Sequence, residues 1–141
     1  NVDPGKVTVE ITEDAIIEDK EAGFNNLLKI KEQGINLSID DFGTGTSSLS
    51  KLKNLHIDKL KIDRSFVMDI PMDKNDEAIT RAIIGMSHTL GLSVIAEGVE
   101  TKAQELFLTR ENCLFAQGVL YSRPLDILQF EIFAEKSLKP G

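Results

Sequence analysis

Short apolar runs rich in β-branched residues alternate along this sequence with longer segments in which apolar residues recur at helical spacing. The runs predict five β-strands, at residues 7–11, 35–39, 58–62, 92–96 and 114–117. The longer segments predict helices at residues 24–31, 49–55, 76–90, 101–110 and 126–135. Gly34 stands where the first of these helices needs a C-cap. The pattern therefore indicates five successive βα units.

Repeated βα units are typical of a parallel sheet covered by helices, so we expect an α/β fold. A closed (β/α)8 barrel needs about 250 residues, whereas this chain has 141. The units could form an open five-stranded sheet or the last five-eighths of a TIM-like barrel, and length alone leaves both open. Since no linker or low-complexity segment divides the sequence, residues 1–141 are interpreted as one domain or part of one.

The charge and hydropathy of the chain argue against some classes of binding partner and against a membrane span within it. A formal net charge of -7 argues against DNA binding, because a nucleic-acid backbone is bound by basic surfaces. No stretch reaches the roughly 18 to 20 consecutive apolar residues of a membrane span, and the first residues lack a signal-peptide pattern. We therefore expect a cytoplasmic chain, with any membrane tether lying outside it. The single Cys113 is interpreted as a packed small side chain, with a reactive thiol as the alternative.

Ionisable or amide side chains stand at the carboxyl end of every predicted strand. They are Glu10, Asp40, Asp41, Lys61, Asp63, Glu97 and Gln117. Ligands bind at this edge in parallel α/β proteins, because the βα loops and the helix N-termini converge there. Several carboxylates gathered at one edge repel one another unless a cation lies among them. The expected chemistry is therefore a divalent metal site.

The choice of metal follows from the ligand atoms. An all-oxygen set favours Mg2+ or Mn2+ over zinc, since neither histidine stands at the carboxyl end of a strand. The adjacent Asp40 and Asp41 could offer one carboxylate that bridges two ions and one that caps a single ion, and two ions about 4 Å apart suit in-line attack on a phosphodiester. Taken singly, each acid could equally be a helix cap, Lys61 a solvated lysine and Gln117 a satisfied amide. The joint pattern favours the metal site.

The polar strand ends belong to longer motifs that resemble those of EAL domains, in the same order and at the same spacing. The motifs are Glu10-Ile11-Thr12-Glu13, Asp40-Asp41-Phe42-Gly43-Thr44-Gly45, Leu60-Lys61-Ile62-Asp63-Arg64-Ser65-Phe66, Ala96-Glu97-Gly98-Val99-Glu100-Thr101, and Gln117-Gly118 with Arg123-Pro124-Leu125. The resemblance runs from residue 7 to about residue 130. It implies the carboxyl-terminal part of a (β/α)8 barrel that hydrolyses cyclic di-GMP to linear pGpG with Mg2+ or Mn2+, two ions in the complete domain.

The same resemblance implies a role for each matched residue. The implied metal ligands are Glu10, Asp40, Asp41 and Glu97, and Glu97 is also a candidate general base. Lys61 is implied to hold the nucleophilic water or the transition-state phosphate. The implied substrate-binding residues are Asp63, Glu100 and Gln117. Glu13 is implied to brace the loop at residues 42–48, which the family uses for metal binding and for dimer contact, so a homodimer is expected.

The sequence departs from the family pattern in three places. The Glu-Ala-Leu motif, whose glutamate is a ligand, and an asparagine ligand would both precede residue 1, and Thr46 stands where the family usually carries an aromatic residue. An open part of a barrel exposes two strand edges and apolar surface. We therefore expect the isolated chain to self-associate or to need the missing amino-terminal barrel half, and to lack substantial phosphodiesterase activity.

Two other functions stay open. One is a catalytically inactive domain that binds cyclic di-GMP as a signal, although the intact acids in this part of the chain argue against decay. The other is a structural α/β segment in which the acids serve only as caps.

Overall fold

Five parallel strands form one sheet in the order of the chain. The computed structural model describes residues 2–12, 22–45 and 56–138, without the side chains of residues 22 and 138. The strands are β1 (Thr8–Thr12), β2 (Asn36–Phe42), β3 (Lys59–Ile62), β4 (Ser93–Ala96) and β5 (Phe115–Ala116), and each pairs with the next. The helices are α1 (Ala22–Glu32), α2 (Lys74–Thr89), α3 (Lys102–Arg110) and α4 (Ile127–Leu138), with short 3-10 helices at Pro4–Lys6 and Arg64–Phe66. The predicted α/β fold with a parallel sheet is confirmed, and the predicted helix at 49–55 lies outside the described residues.

Several element boundaries differ from their prediction, and two of these differences have identifiable reasons. Strand β2 continues to Phe42, three residues past its predicted end, through a register shift between Ile39 and Phe42. Helix α2 begins at Lys74 because Asp73 caps it: one carboxylate oxygen accepts the N–H groups of Asn75 and Asp76 at 2.7 and 3.3 Å. Local capping chemistry and long-range strand pairing thus set these ends.

The two faces of the sheet are chemically different. On one face, fully buried apolar side chains such as Leu37, Ile39, Leu60 and Ile62 form the core, against which α2 and α3 pack. On the other face, the register aligns polar residues in rows across the strands, for example Glu10, Ser38, Lys59 and Ser93. Since side chains alternate between faces along a strand, the helices cover the apolar face and leave the polar face to the site.

Large apolar side chains are exposed on β5 and on α4. Phe115 on β5 is 59% exposed, and on α4 the exposed fractions of Ile127 and Leu128 are 70% and 68%. Phe130 and Ile132 on the same helix are each 55% exposed. Exposed side chains of this kind are more numerous on α4 than on the other described helices. Among the described residues, no helix has the length and apolar character needed to cross a membrane.

The single cysteine lies inside the core. Cys113 is 3% exposed, with its Sγ 3.5 Å from the carbonyl oxygen of Phe115. Burial raises the pKa of this thiol to about 11, so the reactive thiolate is scarce at neutral pH. The prediction of a packed side chain is confirmed.

A close backbone approach joins the loops that follow β4 and β5. The N–H of Val99 donates to the carbonyl of Gln117 at 3.0 Å, and the carbonyl of Val99 accepts the N–H of Leu120 at 3.1 Å. A Cβ atom at Gly118 would overlap the backbone of Val99. Because these hydrogen bonds fix both loops, the backbone has little room to yield.

Replacing Gly118 by alanine is therefore expected to destabilise the protein by about 3 kcal/mol, the upper part of the usual cost of overpacking. Gly85→Ala is the matched control: Gly85 lies within α2, where a Cβ would meet no atom within 4 Å. It should stabilise the protein by about 0.5–1 kcal/mol through helix propensity. Urea denaturation of both variants measures the difference, and equal stabilities would contradict the close approach.

Candidate metal centre

Three carboxylates meet at the carboxyl ends of β2 and β4. Asp40, Asp41 and Glu97 each offer one oxygen, and these oxygens all lie within 4.8 Å of one another. Glu97 directly follows β4, and its N–H donates to the carbonyl of Ile62 at the end of β3 at 3.2 Å. The sheet register thus brings Glu97 next to two acids that lie 56 or more residues earlier in the sequence.

The backbone of β2 explains how two consecutive residues can place their carboxylates next to each other. Successive side chains of a regular strand face opposite sides of the sheet. Asp41 instead has a left-handed backbone, with φ of 54°, and it lies in the register shift between Ile39 and Phe42. Such irregularities re-aim side chains, and aspartate tolerates the left-handed region better than most residues. Asp40 and Asp41 can therefore present their carboxylates side by side.

Lys61 joins the acids of three strands to β3. Its Nζ lies 2.9 Å from Glu10 Oε2, 2.9 Å from Asp40 Oδ1 and 2.8 Å from Glu97 Oε1. The lysine side chain is only 7% exposed, whereas the side chains of Asp40 and Glu97 are 25% and 16% exposed. The alternative of a solvated lysine is wrong, because a buried ammonium with three carboxylate partners is a structural ion cluster.

The charges of this cluster do not balance. Burial by itself lowers the pKa of Lys61, but the hydrogen bonds to Glu97, Asp40 and Glu10 outweigh it and raise the pKa above its ordinary value. Burial raises the pKa of Glu97 despite its contact with Lys61, and burial followed by the charges of Asp40 and Asp63 raises the pKa of Asp41. One ammonium faces several acids, so negative charge remains.

A divalent cation fits this arrangement of residues. The donors are carboxylate oxygens without sulfur or imidazole, which suits Mg2+ or Mn2+. A cation already lies among the acids, in the form of the Lys61 ammonium, and the remaining negative charge would be compensated by a further one. Metal binding by Glu10, Asp40, Asp41 and Glu97 stays a prediction that this geometry supports.

The predicted substrate-binding residues lie in the loops beside the cluster. Asp63 caps the 3-10 helix Arg64–Phe66: its Oδ1 accepts the N–H of Ser65 at 2.9 Å and also the Ser65 hydroxyl. Burial acts to raise the pKa of Asp63, but these hydrogen bonds outweigh it and lower the pKa. The exposed Glu100 accepts a hydrogen bond from Arg64 Nη2 at 2.7 Å. Asp63 thus caps a short 3-10 helix, and Glu100 pairs with Arg64, a partner that the sequence did not reveal.

The third predicted substrate-binding residue lies next to the end of β4. Gln117 is exposed directly after β5, and its N–H donates to the carbonyl of Ala96 at 2.8 Å. Glu13 and Thr46 lie outside the described residues. The roles of Gln117, Asp63 and Glu100 at a substrate stay predictions.

Sequence reasoning missed Gln104, which is 2% exposed and contacts the loops that carry Glu97 and Asp63. Its signal was the spacing of Thr101 and Gln104, which is that of a helix capping box. A capping box predicts local hydrogen bonds only, so the contacts to a second loop were hidden.

Substitutions at Asp40 and Lys61 should separate ligand from counter-ion. Asp40→Asn removes a ligand charge and should weaken Mn2+ binding at least about tenfold. Lys61→Met removes a positive charge beside the ligands, so Mn2+ binding should not weaken. Without metal, the same variant should lose about 1–3 kcal/mol of stability, because three carboxylates lose their common partner.

Calorimetric titration with Mn2+ and urea denaturation in the presence of a chelator measure the two effects. Loss of Mn2+ binding in Lys61→Met, or unchanged binding in Asp40→Asn, would contradict these assignments.

Comparison with known proteins places this geometry in a family. The EAL domain family model matches residues 1–124. The cyclic di-GMP phosphodiesterase NbdA of Pseudomonas aeruginosa is 49% identical over 125 residues, which are 89% of this chain and 16% of that protein. The chain therefore spans less than a fifth of this relative.

Solved structures show the same similarity. The PaMucR phosphodiesterase in complex with c-di-GMP matches with a TM-score of 0.87 and 43% identity, over 92% of this chain and 52% of that one. Klebsiella pneumoniae BlrP1, solved with manganese and cyclic di-GMP, matches with a TM-score of 0.80 and 37% identity, over 87% of this chain and 31% of that one. From its sequence, its fold and its acidic strand ends, the chain belongs to the EAL domain family.

Proposed function

We propose that this chain is the carboxyl-terminal part of a metal-dependent phosphodiesterase domain that hydrolyses cyclic di-GMP to linear pGpG. The observation that carries the proposal is the convergence of Asp40, Asp41 and Glu97 within 4.8 Å, beside the buried ammonium of Lys61. The relatives NbdA and PaMucR bear the name phosphodiesterase, and PaMucR and BlrP1 were solved with the cyclic dinucleotide. The proposed substrate is thus the dinucleotide in the name of NbdA and the ligand bound in the two solved structures.

The metal would be held by Glu10, Asp40, Asp41 and Glu97, as one or two ions of Mg2+ or Mn2+. The manganese complex of BlrP1 supports a divalent ion in this family. When bound, such ions supply Lewis-acid stabilisation of the negative charge that develops on the phosphate oxygens. Asp41 and Glu97 are suited to this task because their carboxylates converge with that of Asp40, where one ammonium faces several acids.

The protein's own residues divide the remaining work. Because its pKa is raised, Lys61 stays protonated at neutral pH, so it acts as a fixed positive charge toward the transition state and not as a base. Glu97 lies 2.8 Å from it and has a raised pKa, which suits a group that accepts the proton of the attacking water. Asp63, Glu100 and Gln117 are proposed to contact the nucleotide from the neighbouring loops.

The exposed apolar surface supports the view that the chain works within a larger assembly. Phe115 on β5 and the apolar side chains of α4 would be covered by the remaining strands and helices of a barrel. In their absence, a second copy would cover the same surface. The ligand set is likewise proposed to be completed by residues outside this chain, as the family's Glu-Ala-Leu motif implies.

Turnover of cyclic di-GMP tests the proposal directly. The intact domain that contains this chain should hydrolyse it with Mn2+, and Glu97→Gln should lower kcat by about 100- to 10,000-fold, the usual contribution of a general base. Glu135→Gln, at an exposed position of α4, is the matched control and should keep full activity. The isolated 141-residue chain should show no substantial turnover.

Chromatographic detection of pGpG gives the rates. If the domain binds cyclic di-GMP without cleaving it, the proposed hydrolysis is wrong and the domain is a binding module. Turnover by the isolated chain at the rate of the intact domain would show that the site is complete without further residues.

A further inference from the structure

The side chain of Gln104 joins two loops that lead away from the proposed metal centre. Its Oε1 accepts the N–H groups of Glu100 and Thr101 at 2.7 and 2.8 Å, in the loop after β4. Its Nε2 donates to the carbonyls of Val67 and Met68 at 3.1 and 2.9 Å, after β3. All four hydrogen-bonding positions of the amide are used. Two N–H groups face one end and two carbonyls the other, so only this amide orientation satisfies the partners.

The same two loops are also in contact on their exposed side. Arg64, directly after Asp63, donates to Glu100 at 2.7 Å. Gly98, directly after Glu97, packs so closely on the Arg64 side chain that a Cβ at 98 would overlap it. The exposed ion pair contributes little by itself, since exposed pairs are worth about 0–1 kcal/mol. The buried amide of Gln104 is therefore the stronger connection.

The joined loops begin at residues of the proposed site. Lys61 and Asp63 lead into the loop after β3, and Glu97 leads into the loop after β4. Strand pairing of β3 and β4 ends at Ile62 and Ala96, one residue before Asp63 and Glu97. Beyond these residues, the two segments are joined by the hydrogen bond from the Glu97 N–H to the Ile62 carbonyl, by the ion pair of Glu97 with Lys61 and by the contacts between their loops.

We propose that Gln104 is a positioning residue of the metal centre, which acts by fixing Glu97 and Glu100 relative to Lys61 and Asp63. Its part in turnover rests on the proposed phosphodiesterase function, whereas its part in metal binding does not. The competing role is that of a helix cap alone. The capping box needs only Oε1, however, and the Nε2 contacts with Val67 and Met68 lie outside it.

Gln104→Glu separates the two roles. Glutamate is an ordinary residue at this position of a capping box, so the hydrogen bonds from Glu100 and Thr101 are kept. An ionised carboxylate cannot donate to the carbonyls of Val67 and Met68, and a protonated one has a single O–H to donate, so at least one of the two bonds between the loops is lost. Gln104→Met removes both sets of bonds. Ser87→Ala is the stability control, because it deletes a buried hydrogen bond to the carbonyl of Ile83, a bond that lies entirely within α2.

The measurements are Mn2+ affinity by calorimetry and kcat and KM for cyclic di-GMP, in the intact domain well below its unfolding temperature. Gln104→Glu and Gln104→Met should both lower Mn2+ affinity or kcat by about 10- to 100-fold, the usual effect of residues that orient metal ligands. Ser87→Ala should lower only the unfolding temperature. Should Gln104→Met fail to fold, Gln104→Glu decides the comparison, because it keeps the cap.

The outcomes are distinct. Wild-type Mn2+ affinity and kcat in Gln104→Glu would reduce Gln104 to a helix cap and overturn the proposal. A wild-type domain that binds Mn2+ but leaves cyclic di-GMP intact would overturn the proposed function, while reduced Mn2+ affinity in Gln104→Glu would still support the positioning role. A wild-type domain that binds no Mn2+ would overturn both.

Discussion

The contact of one buried ammonium with three carboxylates organises this protein. Lys61 on β3 has partners on β1, on β2 and directly after β4, so a single side chain links four strands. Its burial is tolerable only because each partner approaches within hydrogen-bonding distance. The positions of Glu10, Asp40 and Glu97 are therefore set by the same interaction that keeps the polar end of the sheet in register. The residues that stabilise this part of the sheet are therefore the same residues that are proposed to bind the metal.

The fold and the general location of the site could be predicted from local sequence, because both depend on local patterns. The β-branched runs predicted the strands, and the ionisable or amide side chains at their carboxyl ends predicted the edge at which the site lies. The burial of Lys61 could not be predicted, because it depends on partners about 20 to 50 residues away that only strand pairing brings together. Two of the four bonds of Gln104 were hidden for the same reason, since the partners of its Nε2 lie 36 and 37 residues earlier.

The loops after β3, β4 and β5 form a continuous layer above the sheet. Gln104 and the ion pair of Arg64 with Glu100 join the first loop to the second, and the contact of Gly118 with Val99 joins the second to the third. Hydrogen bonds between backbones and a buried amide give such a layer little freedom. Glu97 and Asp63 are thus fixed both by the strands that precede them and by the contacts between the loops that follow them.

The left-handed backbone of Asp41 places two unrelated demands on one position. The residue must tolerate a φ of 54°, which favours glycine, asparagine and aspartate, and it must also carry a carboxylate beside Asp40. Glutamate would keep the charge but fit the backbone poorly, while asparagine would keep the backbone and lose the charge. Aspartate alone meets both demands, so substitutions that are chemically conservative elsewhere are not conservative here. The conformational map of one residue thus limits which side chains evolution can use in this cluster.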